Sequence, residues 1–151
     1  MVAELTGPED TFKIVTWYRV LYVDTDLMGV VNNGHYFRFF EQARGEYLRE
    51  LGLPYSEVEA KGIRTPLTEA WAHYYASFHY DELIRIEAWI AQVKRASFRF
   101  DYRLYEGQSP EVRVAGHTIH AIVNEELKVT KIPSWLMTLL KPEAPGPIIK
   151  P

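Results

Sequence analysis

Residues 22–52 read Y-V-D-T-D-L-M-G-V-V-N-N-G-H-Y-F-R-F-F-E-Q-A-R-G-E-Y-L-R-E-L-G. The stretch begins with a short acidic loop around Asp24 and Asp26 and continues as the longest helical pattern in the chain. Its apolar residues repeat at the three- and four-residue spacing of an amphipathic helix, and they are Tyr36, Phe37, Phe40, Ala43, Tyr47, Leu48 and Leu51. Gly52 and Pro54 then end the pattern. We therefore predict one long helix, from Gly34 to Leu51, around which the rest of the fold is arranged.

The polar residues of this helix lie largely outside the apolar stripe. Glu41 and Arg44 are three residues apart, and so are Glu46 and Arg49. Helix side chains at this spacing form weak surface ion pairs. We expect both pairs on the solvent side of the helix.

Composition limits the classes of function. A chain of 151 residues is long enough to bury one hydrophobic core. Its net charge of −3 argues against a broad basic face for nucleic acid. The absence of cysteine excludes disulfides, thiolate zinc sites and cysteine nucleophiles. No apolar run is long enough to span a membrane, and the N-terminus does not resemble a signal peptide, so we predict a cytoplasmic protein.

Alternating apolar and polar residues predict the strands. One strand precedes the helix, at residues 12–22, and four follow it, at residues 67–80, 84–90, 97–105 and 112–124. Short helices are predicted at residues 53–61 and 133–140. The result is an α+β domain over residues 11–140, between a flexible N-terminus (1–10) and a proline-rich tail (141–151). Its edge strands favour dimerisation.

The loop between the first strand and the helix is the candidate site. Loop aspartates such as Asp24 and Asp26 commonly form Asx-turns and helix caps. A helix N-terminus, however, also presents unpaired N–H groups, and Gly34 permits close approach to them. A carboxylate beside such N–H groups can act on a carbonyl, because the N–H groups polarise the oxygen while the carboxylate attacks or activates water. The residues alone leave both interpretations open.

The run from Asp24 to Arg44 resembles the signature of hotdog-fold acyl-CoA thioesterases of the 4-hydroxybenzoyl-CoA thioesterase-like family. The signature is an aspartate, a glycine three residues later, two β-branched residues and an aromatic-rich helix with an E-x-A-R segment. The resemblance continues through T-P-L, Y-D-E-L-I-R-I-E and K-R-A-S-F, and covers residues 18–124. It implies a hotdog fold, in which an antiparallel β-sheet wraps around one long central helix. It also implies a homodimer or homotetramer (a dimer of dimers), with active sites between subunits.

The resemblance also assigns residues. The family's catalytic aspartate falls on Asp26, which leaves Asp24 as a turn or cap residue. The backbone N–H that holds the thioester carbonyl falls near Asn33 and Gly34, and Tyr22 matches a tyrosine that lines the site in some members. Several members have histidine at the position of Asn33, and the neighbouring pair of asparagines is more similar to acyl-carrier-protein thioesterases. The helical geometry points His35 elsewhere, so it does not replace that histidine.

The turn before the fourth strand carries the remaining assignment. By resemblance, Lys94, Arg95 and Ser97 contact the phosphates of coenzyme A, a role that suits basic side chains. No metal or organic cofactor is expected, because the five histidines lack partners at ligand spacing. The predicted reaction is hydrolysis of an acyl thioester to a free acid and a thiol, with Asp26 as nucleophile or general base. The alternatives are an acyl-ACP thioesterase, a hotdog dehydratase or hydratase, and a non-catalytic acyl-thioester binding protein.

Overall fold

The computed structural model describes residues 12–140, which form one five-stranded sheet and three α-helices. The strands are β1 (Lys13–Arg19), β2 (Leu67–Tyr74), β3 (Leu83–Val93), β4 (Ser97–Glu106) and β5 (Val112–Ala121). The helices are α1 (Tyr36–Glu50), α2 (Tyr55–Ala60) and α3 (Ser134–Leu140). The predicted α+β architecture with one long helix is therefore confirmed.

The sheet is antiparallel throughout, in the order β1-β3-β4-β5-β2. Strands β3, β4 and β5 form its centre, where Ile86 pairs with Leu104 and Tyr102 with Gly116. Strands β1 and β2 are neighbours in sequence order but lie at opposite edges. The chain between them, which includes the candidate site and α1, must therefore cross from one edge of the sheet to the other.

Helix α1 supplies much of the core, and its buried residues are Tyr36, Phe39, Phe40, Ala43 and Tyr47. The ring of Phe40 stacks on that of Tyr102 at a centroid distance of 4.3 Å. It also lies directly over Gly116, where an added Cβ would come within 2.4 Å of the ring. Phe37, predicted on the core face, is 37% exposed. Phe39 is buried instead because it lies three residues after Tyr36 and four before Ala43, on the centre of the stripe.

The first strand and the long helix both have different ends from those predicted. β1 ends at Arg19, and residues 22–24 form a 3₁₀ turn. The turn forms because the N–H of Asp24 donates to Leu21 O (3.0 Å) while its carboxylate accepts from Leu21 N (2.8 Å). Helix α1 starts at Tyr36 rather than Gly34, since residues 33–35 form a second 3₁₀ turn.

Two later strands are shorter than predicted. β2 ends at Tyr74 because the N–H groups of Tyr75 and Ala76 both donate to Arg113 O, at 2.8 and 3.1 Å, which ends the regular ladder. β5 ends at Ala121, after which Ile122 N donates to Ala96 O at 2.9 Å.

The predicted flexible N-terminus and proline-rich tail, residues 1–10 and 141–151, lie outside the residues that the structure describes. Within residues 12–140, no helix has the length and apolar character needed to cross a membrane.

Candidate active site

Asp24 holds the end of the first strand to the start of α1. Its side chain is completely buried, and it accepts hydrogen bonds from Tyr18 Oη (2.7 Å), Leu21 N (2.8 Å) and an Arg38 guanidinium N–H (2.5 Å). His35 Nδ1 lies 3.2 Å from Oδ1, the same oxygen that Arg38 contacts. This geometry agrees with the turn or cap role expected for Asp24. His35 contacts Asp24, in keeping with the expectation that it points away from the catalytic position.

The surroundings of Asp24 favour its charged form. Burial acts to raise the pKa of the carboxyl group, but hydrogen bonds from Tyr18, Leu21 and His35 and the positive charge of Arg38 outweigh it, so the pKa is lowered. Burial and the hydrogen bond to Asp24 raise the pKa of the Tyr18 hydroxyl. Asp24 is therefore an ionised structural anchor with no oxygen left for a substrate.

Asp26 lies two residues further on, in a tight hairpin turn. Its N–H donates to Val30 O and its carbonyl accepts from Gly29 N, both at 2.9 Å. Gly29 has φ of +78°, a conformation that other residues adopt only with strain. Asp26 Oδ1 accepts from Met28 N at 2.8 Å, whereas Oδ2 has no donor among residues 12–140. The turn thus holds one carboxylate oxygen and leaves the other available.

Asp26 opens onto a surface groove of about 730 Å³. The residues that line this groove are Tyr22, Thr25, Asp26, Leu27, Gly29 and Tyr80. Tyr22 is 78% exposed, and its ring meets the ring of Tyr80 edge-on at 5.5 Å. The structure therefore brings Tyr22 and Asp26 together, and it adds Tyr80, which the sequence pattern did not indicate.

The start of the helix differs from the expectation in one respect. Asn32 is the cap residue, and its Oδ1 accepts from Gly34 N at 2.9 Å. The N–H of Gly34, expected to be free for a substrate carbonyl, is therefore already engaged. The N–H of Asn33 finds no acceptor in the described part of the chain. Tyr74 Oη donates to Asn33 O at 2.8 Å, which places the helix start beside the edge strand β2.

Lys94, Arg95 and Ser97 lie in the tight turn between β3 and β4, where Lys94 N donates to Ser97 O at 2.8 Å. Both basic side chains are exposed, and neither forms an ion pair with a residue between 12 and 140. β3 runs from Leu83, which pairs with Arg19, to Val93 at the far end. At roughly 3.3 Å per residue the strand is about 33 Å long. Within one protomer the structure therefore does not bring this turn to Asp26.

A second cavity, of about 470 Å³, lies between the C-terminal half of α1 and the sheet. Sequence reasoning did not identify it. Arg44 lines this cavity and donates to Tyr102 Oη at 3.1 Å. The predicted surface pair of Arg44 with Glu41 is therefore wrong, whereas the predicted pair of Glu46 with Arg49 forms. The only sequence signal was the position of Arg44 directly after Ala43, at the border of the apolar stripe.

Three of the five histidines, His35, His79 and His117, each contact one acidic residue. His79 Nδ1 lies 2.8 Å from Glu82, and His117 Nε2 lies 2.7 Å from Glu69. No group of three or more potential metal ligands occurs among residues 12–140.

Known proteins are similar to this chain over most of its length. The model of the Thioesterase-like superfamily matches residues 20–140. A putative esterase of Aquifex aeolicus is 33% identical over 124 residues, which are 82% of this chain and 94% of that protein. The acyl-CoA thioesterase YbgC of Haemophilus influenzae is 36% identical over 87 residues, 57% of this chain and 64% of that protein. The solved structure of a gentisyl-coenzyme A thioesterase, 30% identical, matches with a TM-score of 0.74 and covers 82% of this chain and 98% of its own.

Proposed function

Because the chain belongs to the Thioesterase-like superfamily and is a thioester hydrolase with the hotdog fold, we propose that Asp26 cleaves acyl-CoA thioesters to a free acid and coenzyme A. The contrast between the two loop aspartates carries this proposal. Asp24 is buried with both oxygens engaged, whereas Asp26 faces an open groove, and its Oδ2 accepts no hydrogen bond from residues 12–140.

The two oxygens of Asp26 have different tasks in this mechanism. The hydrogen bond from Met28 N to Oδ1 fixes the carboxylate plane. Oδ2 then attacks the thioester carbon, which forms a mixed anhydride and releases the thiolate, or it removes a proton from an attacking water. On the first route a water molecule then hydrolyses the anhydride, which releases the free acid and regenerates the Asp26 carboxylate. On the second the water oxygen adds to the carbonyl carbon and the thiolate leaves. Both routes consume one water and give a free acid and a thiol, and both require an ionised Asp26.

The carbonyl oxygen of the thioester would accept a hydrogen bond from Asn33 N–H. This group points out of the start of the 33–35 turn and lacks an acceptor within residues 12–140. Backbone donors fixed in this way stabilise the negative charge that develops on a carbonyl oxygen during attack. Gly34 would serve as a contact without a side chain, and Tyr22 lines the groove beside Asp26.

A homodimer completes the site. The hydrogen bond from Tyr74 to Asn33 places the helix start at the C-terminal end of β2, the free edge of the sheet. The turn at Lys94–Ser97 lies at the other end, where Leu67 pairs with His120 and Ser97 with Ala121. If two β2 strands pair antiparallel across a two-fold axis, the 94–97 turn of one protomer comes to the same end as Asp26 and Asn33 of the other.

In that dimer the basic turn would contact the phosphates of coenzyme A. Lys94 and Arg95 are exposed and free of ion pairs with the described residues, so a phosphate would not have to displace a carboxylate. The backbone of the turn is held by Ile132 N, which donates to Arg95 O at 2.8 Å. Ser97 adds a hydroxyl donor.

The test is release of free thiol from a panel of acyl-CoA and acyl-carrier-protein thioesters. Asp26→Asn should lower kcat by about 10²–10⁴-fold, the usual contribution of a catalytic base. Glu126→Gln, which removes an exposed carboxylate from a distant turn, is the matched control and should retain wild-type activity. Near-full activity in Asp26→Asn would contradict the assignment.

The panel also separates the alternatives. Preference for carrier-protein thioesters would identify an acyl-ACP thioesterase with the same catalytic groups. Calorimetric binding of acyl-CoA with no turnover of any thioester would favour a non-catalytic binding protein.

A further inference from the structure

The cavity between α1 and the sheet has an apolar and aromatic wall, a polar floor, and further polar residues along the helix, which are Glu41, Gln42, Glu46 and Arg49. Its volume of about 470 Å³ lies in the range typical of small-molecule sites. The apolar and aromatic side chains of its wall are Leu48, Tyr55, Leu67, Phe98 and Phe100. Its polar floor includes Arg44 and His120.

A chain of hydrogen bonds runs along this floor. Arg44 Nη1 donates to Tyr102 Oη at 3.1 Å, and Tyr102 Oη lies 2.6 Å from Thr118 Oγ1. Thr118 Oγ1 lies 2.9 Å from His120 Nε2, and His120 Nδ1 lies 3.1 Å from Thr65 O. Three elements, α1, β4 and β5, and the loop before β2 thus meet in one polar network.

The direction of every bond in this chain follows from its two ends. The carbonyl of Thr65 can only accept, so the proton of His120 is on Nδ1. Burial, aided by the charge of Arg44, lowers the pKa of His120 to about 4, so the ring is neutral and Nε2 accepts from Thr118. Tyr102 then donates to Thr118, and its oxygen accepts from Arg44. His120 therefore has no free nitrogen with which to act as a base.

Arg44 keeps unused donors in this cavity, and Arg49, the other arginine that lines it, is paired with Glu46 and has a side chain that is 59% exposed. The guanidinium of Arg44 has five N–H groups, of which one serves Tyr102. Within residues 12–140 no carboxylate forms an ion pair with it, although Glu41 lines the same cavity. A partly buried guanidinium beside aromatic walls is stabilised by an oxygen acceptor on whatever fills the space. The occupant indicated is an apolar group that carries such an oxygen.

The position of the cavity indicates whether it would bind a substrate held by the 22–34 loop of its own protomer or of the partner protomer. The cavity is at the Leu67 end of β2, whereas Asn33 of the same protomer is at the Tyr74 end. At roughly 3.3 Å per residue these ends are about 23 Å apart. Antiparallel pairing of two β2 strands places the cavity of one protomer beside the helix start of the other.

We propose that this cavity binds the acyl group of a thioester held by Asp26 and Asn33 of the partner protomer, and that Arg44 selects acyl groups with an oxygen acceptor. The inference rests on the proposed function, because it assumes that Asp26 is the reacting group. Arg44 is a specificity-determining residue that acts across the dimer interface.

Matched substrate pairs test the selectivity. We would measure kcat/KM for 4-hydroxybenzoyl-CoA against benzoyl-CoA, and for 3-hydroxybutyryl-CoA against butyryl-CoA, so that ring and aliphatic hydroxyls are distinguished. In Arg44→Met the preference for the hydroxylated member should fall by about 10- to 100-fold in at least one pair, the usual effect of a hydrogen bond to a charged group. Arg44→Lys should retain part of it. Unchanged ratios in both pairs would overturn the role of Arg44.

Complementation tests whether the cavity acts across the interface. Gly45 lines the cavity, and a Cβ there would meet nothing closer than Arg49 Nη2 at 3.9 Å, so Gly45→Leu should fill the space in a folded protein. Gly45→Leu and Asp26→Asn should each be inactive alone. Co-expressed with different tags and purified through both, their heterodimers have one intact site of two and should recover about half of wild-type activity. Purified heterodimers without activity would show that each cavity serves its own Asp26.

A binding measurement separates failure of this inference from failure of the proposed function. If the wild type cleaves no thioester, the proposed function fails, and phenacyl-CoA thioethers with and without a ring hydroxyl become the probes, because they cannot be hydrolysed. The wild type should bind the hydroxylated probe more tightly, and Arg44→Met should lose that difference. Equal binding of both probes by the wild type would overturn the pocket assignment.

Discussion

At the scale of single residues, two aspartates of one short loop acquire opposite roles from their surroundings. Asp24 is buried against Tyr18 and Arg38, and its charge joins a strand to a helix. Asp26 is held on one oxygen by Met28 N and open on the other. Both residues are aspartates, so residue type alone does not distinguish them. The groups that each carboxylate contacts do distinguish them.

The donor proposed at Asn33 can be removed by a single substitution. Asn32 has φ −60° and ψ 135°, the conformation required before proline, and Asn33 is the first residue of its turn, where proline is tolerated. Asn33→Pro should fold normally and lose about 10²–10³-fold in kcat, because it deletes the backbone N–H together with the side chain. Asn33→Ala, which keeps the N–H, is the control in the same thiol-release assay. Equal losses in both variants would assign the effect to the side chain.

The neutral state of His120 predicts a pH dependence of stability. Its pKa is lowered from 6.5 to about 4 in the folded protein. The unfolded chain therefore binds a proton first as pH falls, and the stabilisation present above pH 6.5 is lost between 6.5 and about 4. At about 1.4 kcal/mol per pKa unit the loss is about 3 kcal/mol.

His120→Gln is the matched variant, since an amide offers one donor and one acceptor and does not titrate. Urea denaturation at several pH values should give a shallower decline of the unfolding free energy for this variant across that window. Parallel curves for both proteins would contradict the prediction.

At the scale of elements, α1 packs on the sheet over Gly116, where there is no room for a side chain. Gly116 provides the space for Phe40, and a Cβ there would also meet Trp71 O at 2.8 Å. Gly116→Ala should lower the unfolding free energy by about 1–3 kcal/mol, the usual cost of overpacking. Adding Phe40→Leu should recover part of that loss, because Leu removes the ring but not the contact with Trp71. Additive effects in thermal denaturation would show that the ring is not the cause.

The sequence identified candidate site residues that lie close together in the chain. It did not identify residues that only the fold brings together. Tyr22, Asp26 and Asn33 fall within twelve residues, and the family resemblance of this continuous stretch selected them, whereas the helical pattern and the loop residues alone left the site open. The structure places Tyr22 and Asp26 on one groove. The cavity floor joins Arg44 of α1 to Tyr102 of β4 and to Thr118 and His120 of β5. That network depends on the register that opposes Phe100 to Thr118 and Phe98 to His120, and alternation alone does not specify a register.

At the scale of the whole molecule, one protomer holds the proposed reacting groups and the proposed acyl cavity at opposite ends of its edge strand β2. The dimer that we propose is therefore part of the catalytic unit, and the free edge of β2 is where it should be tested. Ala70 is exposed on β2. A long charged side chain at this position should oppose strand pairing.

Ala70→Arg should be monomeric by light scattering, with an unchanged circular dichroism spectrum, and should lose thioesterase activity. Ala91→Arg places the same side chain at an exposed position of β3 and should remain dimeric and active. A monomeric Ala70→Arg with full activity would show that each protomer works alone.

Gly45 leaves a vacant position on the helix surface that faces the acyl cavity. Because both sites of a homodimer are encoded by one gene, a change of this codon would alter the depth of both cavities at once. It would do so without touching Asp26 or Asn33, so the range of accepted acids could change while the chemistry is kept. A duplicated gene could diverge toward larger or smaller substrates by this single step, and a library at position 45 is the natural starting point for redesign.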